Sequence, residues 1–189
     1  MLKKIPYSSI DVITRRYKLT DEAKSVLVQS STPEQAISTL LEAKLYSDTV
    51  QFIAHSLPVM DAILWATKSL AFRDEQWDEQ EQHAIDGAKN WLKQPNETLR
   101  IRANQLAERV GLESAPAWVA KAVYWSGTGS IVAPELPAVF PPTYLYAHSV
   151  AATITIAAAV PRWQKDDMGY EQFYLKVIAQ GMAIAKGEP

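Results

Sequence analysis

Apolar residues recur at helical spacing along most of the chain, with polar residues between them. The widest stripe follows Pro58 and consists of Val59, Met60, Ile63, Leu64, Ala66, Thr67, Leu70 and Ala71. This period of three to four residues is typical of a helix that buries one face. We find no credible pair of alternating segments that would indicate neighbouring strands. The pattern therefore predicts an all-α fold.

Helix start signals divide the chain into about eight or nine helices. Thr32, Pro33 and Gln35 form the clearest signal, with a capping threonine, a proline in the first turn and a glutamine that completes a capping box. Starts are predicted near residues 20, 33, 48, 59, 77, 96, 115, 143 and 165. A pair of the later helices spans about 40 residues, the size of a helical repeat, but no motif recurs. Both an irregular bundle and a short helical-repeat-like array fit this pattern.

The first 19 residues are predicted to be an N-terminal arm, and residues 20–189 a single helical domain. Five basic residues against Asp11 give residues 1–18 a net charge of +4. The arm is interpreted as a solvated segment on an acidic body, with a tail for an anionic partner as the alternative. Its residues Ile10, Val12 and Ile13 are compatible with a short strand or an extended segment. In the last helix, Gly181 is expected to be a weak point.

A long connector at residues 127–142 precedes a nearly all-apolar helix, predicted at 143–160 and ended by Pro161. Four prolines give the connector an extended path, and its large apolar residues argue against a solvated linker. We expect it to pack across the helices; the alternative is an apolar ledge for another protein. The candidate partner-binding residues at an uncovered edge are Val132, Leu136, Val139, Phe140, Tyr144 and Trp125.

Composition excludes several classes of protein. The chain has 189 residues and no cysteine, which excludes disulfides, cysteine nucleophiles and thiolate metal sites. A net charge of −2 gives no reason to expect a nucleic-acid partner. The longest apolar run, Val150 to Val160, is shorter than the ~20 residues of a membrane span. No secretory signal is expected, because the first residues contain no apolar h-region and no small-residue cleavage site. A cytoplasmic protein is expected.

No catalytic residue, metal ligand or cofactor site is predicted. His83 has Glu79 and Asp86 nearby on one helix, which is more typical of a solvated face than of a metal site. His148 is expected to be buried and bonded to a loop carbonyl, since Ser149 beside it points in another direction. The glycine-rich turn at 126–130 lacks the strand and the lysine of a phosphate loop.

One resemblance is carried by Trp125-Ser126-Gly127, Ala133-Pro134, Phe140-Pro141-Pro142, Leu145 and the run from Ala147 to Ala152. These residues resemble a bacterial domain family of uncharacterised function, in which a Trp/Ser/Gly helix end leads through a proline connector to an alanine-rich helix. The resemblance extends over residues 20–187, and its motif-like part over 118–160. Members are often encoded beside type VI secretion components. The resemblance implies an accessory or adaptor role and supplies no catalytic residues.

Three functions follow from these observations as hypotheses. The first is a non-enzymatic interaction protein, such as an adaptor or accessory factor, because the helical pattern is rich in aromatics and lacks a catalytic constellation. The resemblance implies that it serves a bacterial secretion system. The second is an enzyme or small-molecule binder with a pocket near residues 126–148, beside Trp125, Tyr144, Tyr146 and His148. The third is an immunity protein that binds a toxin through the acidic stretch Asp74–Asp86. The partner and the oligomeric state are left open.

Overall fold

The computed structural model describes residues 2–160 and 168–188. These residues form ten α-helices and no strand, which confirms the predicted all-α fold. In chain order the helices are α1 (Asp11–Thr14), α2 (Asp21–Val26), α3 (Pro33–Glu42), α4 (Tyr46–Ser56), α5 (Val59–Leu70), α6 (Glu79–Lys93), α7 (Glu97–Val110), α8 (Ala115–Tyr124), α9 (Leu145–Ala158) and α10 (Tyr170–Lys186). A 3-10 turn, Ala71–Gln76, joins α5 to α6.

Local capping sets most of the helix starts. At α3 the amide of Gln35 donates to Thr32 Oγ1, and the amide of Thr32 donates to Gln35 Oε1 over 2.8 Å, which is the predicted capping box. Asp78 and Glu81 form a second capping box at α6, and Asn96 caps α7 by accepting a hydrogen bond from the amide of Leu99. The predicted start at residue 165 and the stop at Pro161 lie outside the described residues.

Helices α8 and α9 form the centre of the molecule. They pack against each other, α8 also contacts α6 and α7, and α9 also contacts α4 and α5. The alanines of α9, including Ala147, Ala151 and Ala157, are fully buried. Small side chains at these positions let the neighbouring helices approach closely. The apolar helix predicted at 143–160 is therefore central, and α8 shares that position.

The first residues of the chain join the same core. Leu2, Ile5, Ile10 and Ile13 are buried, and the amide of Lys4 donates to the carbonyl of Ala185 on α10. Ile10 is the N-cap of the short helix α1 and Ile13 lies within it, one turn later, so the two side chains bury the same side of the helix. Neither the strand nor the extended conformation expected for this segment forms.

Gly181 lies in close contact with α5 rather than at a weak point of α10. The indole nitrogen of Trp65 on α5 donates to the carbonyl of Val177 over 2.7 Å. A Cβ atom at Gly181 would lie 2.7 Å from Trp65 Cε2, which is shorter than real contacts allow. The absence of a Cβ atom at Gly181 therefore lets the Trp65 ring of α5 pack directly against the backbone of α10.

Candidate functional site

Residues 131–142 form a loop, called the apolar loop below, that exposes large hydrophobic side chains. Leu136, Val139 and Phe140 are 56%, 49% and 59% exposed. The seven other exposed large hydrophobic residues of the described chain are spread from Val12 to Leu175. The expectation that the connector packs across the helices is therefore wrong for residues 133–140, which are all exposed.

Hydrogen bonds close the apolar loop at its base. The amide of Ile131 donates to the carbonyl of Val139 over 2.8 Å. Ser130 Oγ accepts hydrogen bonds from the amides of Val132 and Val139, each over 3.2 Å. The prolines of the segment restrict the backbone further. The loop thus presents its apolar side chains from a defined base rather than from an unstructured chain.

A fully buried arginine on α7 anchors that base. The guanidinium of Arg100 donates to the carbonyl of Tyr124 over 2.8 Å and to the carbonyl of Ser130 over 2.7 Å. It also forms a bidentate pair with the Glu97 carboxylate, with both distances 2.7 Å. The Tyr124 hydroxyl in turn donates to the carbonyl of Ile131 over 3.1 Å. These contacts tie both the end of α8 and the start of the loop to α7.

The ion pair shifts both of its members toward their charged forms. The hydrogen bond to Glu97 raises the pKa of Arg100, and the hydrogen bond from Arg100 lowers the pKa of the Glu97 carboxyl. The Glu97 side chain is 59% exposed, so solvent screens the pair from one side. Arg100 therefore stays charged while its other donors bind the backbone carbonyls of Tyr124 and Ser130.

The glycine-rich turn before the loop serves this anchor. A Cβ atom at Gly129 would lie 2.5 Å from Glu97 Oε2 and 2.6 Å from Arg100 Nε. Only a glycine lets the backbone pass so close to the ion pair. Gly127 has a φ of +88°, which side chains other than glycine rarely adopt. The close approach to the ion pair explains Gly129, and the positive φ explains Gly127. The two glycines therefore have structural reasons that do not involve phosphate binding.

The six predicted partner-binding residues separate into two sets. Leu136, Val139 and Phe140 lie exposed in the apolar loop, whereas the other three are half-buried. Of these, Trp125 packs against Trp118, with ring centroids 6.5 Å apart. The third residue of this set, Val132, lies at the loop base, and the side chain of Tyr144 joins a different cluster.

That second cluster, called the aromatic–histidine cluster below, consists of Arg16, Tyr17, His55, Tyr144 and His148. The rings of His55 and Tyr17 stack with centroids 4.4 Å apart, and His148 meets His55 edge to face at 4.5 Å. Arg16 donates to the carbonyl of His55 over 2.6 Å and lies over the Tyr144 ring. Tyr144 has a φ of +67°, a costly conformation for a bulky residue that these contacts maintain.

The two histidines of this cluster differ in burial. His148 is exposed, and the prediction that it is buried is wrong, because it lies on the outer side of the first turn of α9. His55 is fully buried, and its Nδ1 lies 2.8 Å from the carbonyl of Gln51. Its Nε2 has no hydrogen-bond partner in the described part of the chain. The pKa of His55 is lowered to about 4, chiefly by burial. The nearby charges of His148 and Arg16 contribute to the lowering, and the hydrogen bond to the Gln51 carbonyl opposes it.

Sequence reasoning missed Arg16, Tyr17 and His55 as neighbours of Tyr144 and His148. They come from three distant segments, and no local pattern links them. The two imidazole rings are in direct edge contact, which leaves no room for a metal ion between them. Among the described residues, no three histidine, cysteine or acidic side chains form a group able to hold a metal ion. His83, Glu79 and Asp86 are among these described residues and form no such group.

Half of the acids in the Asp74–Asp86 stretch have local structural roles. Asp78 and Glu81 form the capping box of α6, and Glu81 also accepts a hydrogen bond from Ser114. Asp86 pairs with Lys89 over 3.1 Å. The charge of this stretch therefore stabilises α6 and its neighbours to a large extent.

Comparison with known proteins gives a family and nothing beyond it. A family model described as a family of unknown function, DUF6931, matches residues 36–185. No curated protein and no solved structure matches the chain. The predicted membership in an uncharacterised domain family is confirmed at that level. Within the described residues, every helix is too short or too polar to cross a membrane.

Proposed function

We propose that this chain, which belongs to the DUF6931 family, is a non-enzymatic protein-interaction module that binds its partner through the apolar loop. The partner surface that fits is an apolar recess able to take a phenylalanine and a leucine side chain. A basic residue beside that recess would match Glu135, which is exposed within the loop. This makes the protein an accessory or adaptor factor.

The clustering of Leu136, Val139 and Phe140 within five consecutive exposed positions supports this proposal. Scattered apolar residues on a surface are ordinary, whereas a contiguous group marks a contact with another molecule. Aromatic side chains that enter a partner's pocket contribute most to binding, and a preformed loop loses little entropy on docking. Arg100 and Ser130 supply that preformed base.

The identity of the partner is the finer part of the proposal. The resemblance to proteins encoded beside type VI secretion components supports a secretion-system protein, bound in the bacterial cytoplasm. The two alternatives have weaker support. Arg16 and Tyr17 pack against His55, which in turn contacts His148, in the region where the second hypothesis places a small-molecule pocket. The acids of an immunity-type binding face are partly engaged in capping and pairing.

Affinity purification from the native host tests the proposal with a matched pair of variants. The Leu136→Asp/Phe140→Asp variant changes two loop residues, and the control Val12→Asp/Val28→Asp changes residues that are 50% and 62% exposed elsewhere. Both variants should unfold within ~0.5 kcal/mol of the unmodified protein, because exposed positions contribute little to stability.

We expect the unmodified protein and the control to retain one partner at fixed stoichiometry. The loop variant should bind it at least about 100-fold more weakly, since each buried Leu or Phe contributes roughly 1.5–3 kcal/mol. Equal recovery of the partner by both variants, or recovery of no stoichiometric partner by the unmodified protein, would refute the proposal.

A further inference from the structure

A second, separate surface has the properties of a binding groove. It lies between α5 and α6 and has a volume of about 400 Å³. Its lining residues are Leu64, Thr67, Lys68, Ala71, Lys89, Leu92 and Lys93. We call it the lysine-rimmed groove. None of these residues belongs to the apolar loop or to the aromatic–histidine cluster.

One stripe of residues from each side, α5 and α6, builds the groove. The α5 side runs from Leu64 to Ala71 at successive helical turns, and the α6 side places Leu92 between two lysines. The Thr67 hydroxyl donates to the carbonyl of Ile63 over 2.8 Å, so its proton is already engaged within α5. The other floor residues, Leu64, Ala71 and Leu92, are apolar.

The rim is cationic and incompletely neutralised. Three lysines, Lys68, Lys89 and Lys93, line the groove, and no carboxylate is among its lining residues. Lys89 pairs with Asp86 at its outer side, over 3.1 Å. Lys68 and Lys93 form no ion pair in the described part of the chain. They are thus uncompensated cations on a protein whose net charge is −2. An apolar floor between uncompensated ammonium groups favours a ligand that is apolar on one face and anionic at its edges.

The dimensions of the groove select among such ligands. Seven residues separate Leu64 from Ala71, which corresponds to about 10 Å, or two helical turns. This length matches the side chains at i, i+3 and i+7 that an amphipathic helix presents to a groove. We propose that the lysine-rimmed groove binds an acidic amphipathic helix of a partner protein, whose apolar face covers Leu64 and Leu92 and whose carboxylates meet the lysines.

Fluorescence anisotropy with the full-length chain and a labelled probe tests this proposal. The probe is a helical peptide of about three turns with leucines at i, i+3 and i+7 and glutamates on both flanks. A scrambled peptide of the same composition measures attraction by charge alone. Binding of the ordered probe should exceed binding of the scrambled one and should weaken as salt rises.

Three variants locate the binding surface. Lys68→Glu/Lys93→Glu reverses the rim, and Ala71→Glu places a carboxylate at an exposed floor position. Each should weaken probe binding by about tenfold or more, through lost attraction and added repulsion. The control Lys3→Glu/Lys18→Glu makes the same charge change on exposed residues of the N-terminal arm and should leave binding unchanged.

The apolar-loop variant Leu136→Asp/Phe140→Asp should also bind the probe normally, so this inference and the proposed function fail independently. Any of four results would overturn the inference: no binding of the ordered probe, equal binding of the scrambled probe, equal loss in the arm control, or no loss in the two groove variants. Binding of dodecanoate or of anionic phosphatidylglycerol vesicles in place of the peptide, lost in the groove variants, would also overturn it and assign the groove to lipids.

Discussion

Replacement of Arg100 by methionine removes the anchor of the apolar loop while keeping a long, flexible side chain at the buried position. The carbonyls of Tyr124 and Ser130 then lose their charged donors. Glu97 becomes a solvated carboxylate, which costs little because its side chain is 59% exposed.

The expected cost follows from those two carbonyls. A buried carbonyl without a partner costs about 1–3 kcal/mol, and the apolar methionine side chain offsets part of the total. We expect the free energy of unfolding to fall by about 2–4 kcal/mol. In a chain of 189 residues this corresponds to a decrease in the melting temperature of roughly 4–16 °C.

Urea unfolding measures the loss of stability, and hydrogen exchange reports whether the loop base opens. The amide of Ile131, which donates to Val139, should exchange faster in Arg100→Met. The control is Arg102→Met on the same helix, an exposed arginine that should change stability by no more than ~0.5 kcal/mol. If Arg100→Met has the stability of the control and the Ile131 amide exchanges at its normal rate, Arg100 does not anchor the loop.

Two further perturbations test the buried interior. The pKa of His55 is about 4 in the folded chain and near 6.5 in the unfolded chain. Neutral His55 therefore contributes up to about 3 kcal/mol to the free energy of unfolding above pH 6.5, and this contribution is lost as the pH falls toward 4. Unfolding midpoints between pH 7 and pH 4 should fall less steeply in His55→Phe, and an unchanged slope contradicts this. Gly181→Ala should lower the melting temperature by the equivalent of about 1–3 kcal/mol, because its Cβ meets the rigid Trp65 ring at 2.7 Å. Gly87→Ala, whose Cβ meets the mobile end of Leu106 at the same distance, should be neutral or stabilising, and equal effects of the two alanines contradict the packing argument.

Sequence patterns predicted a structural feature correctly where that feature depends on contacts between residues close together in the chain. The Thr32 capping box joins residues three positions apart, so the sequence alone predicts the start of α3. The stripe of α5 likewise repeats within one helix, and its members Ile63, Ala66, Thr67 and Leu70 are buried as predicted. Met60 and Ala71, at the ends of the stripe, are exposed, and Trp65 is buried although it lay outside the stripe. The all-α class follows from such short-range patterns. The described residues form ten helices where about eight or nine were predicted, because the four-residue helix α1 has no capping side chain that would mark its start.

Long-range contacts account for what the sequence analysis missed. The apolar composition of the connector predicted packing, but Arg100 on another helix fixes where the loop base lies and leaves Phe140 exposed. The same limit applies to the histidines, since burial of His55 depends on Tyr17 from the N-terminal segment. Gly181 looked like a weak point because helix propensity contains no information about Trp65. In each case the deciding neighbour is distant in sequence.

Photo-crosslinking in the native host tests the apolar loop as a docking site most directly. A photoreactive phenylalanine analogue at Val139 lies beside Leu136 and Phe140, and the same analogue at exposed Val28 serves as the control. We expect one crosslinked protein at Val139, absent at Val28 and lost when Leu136→Asp/Phe140→Asp is combined with the photoreactive residue. No crosslink at Val139, or the same crosslinked proteins at both positions, would contradict it.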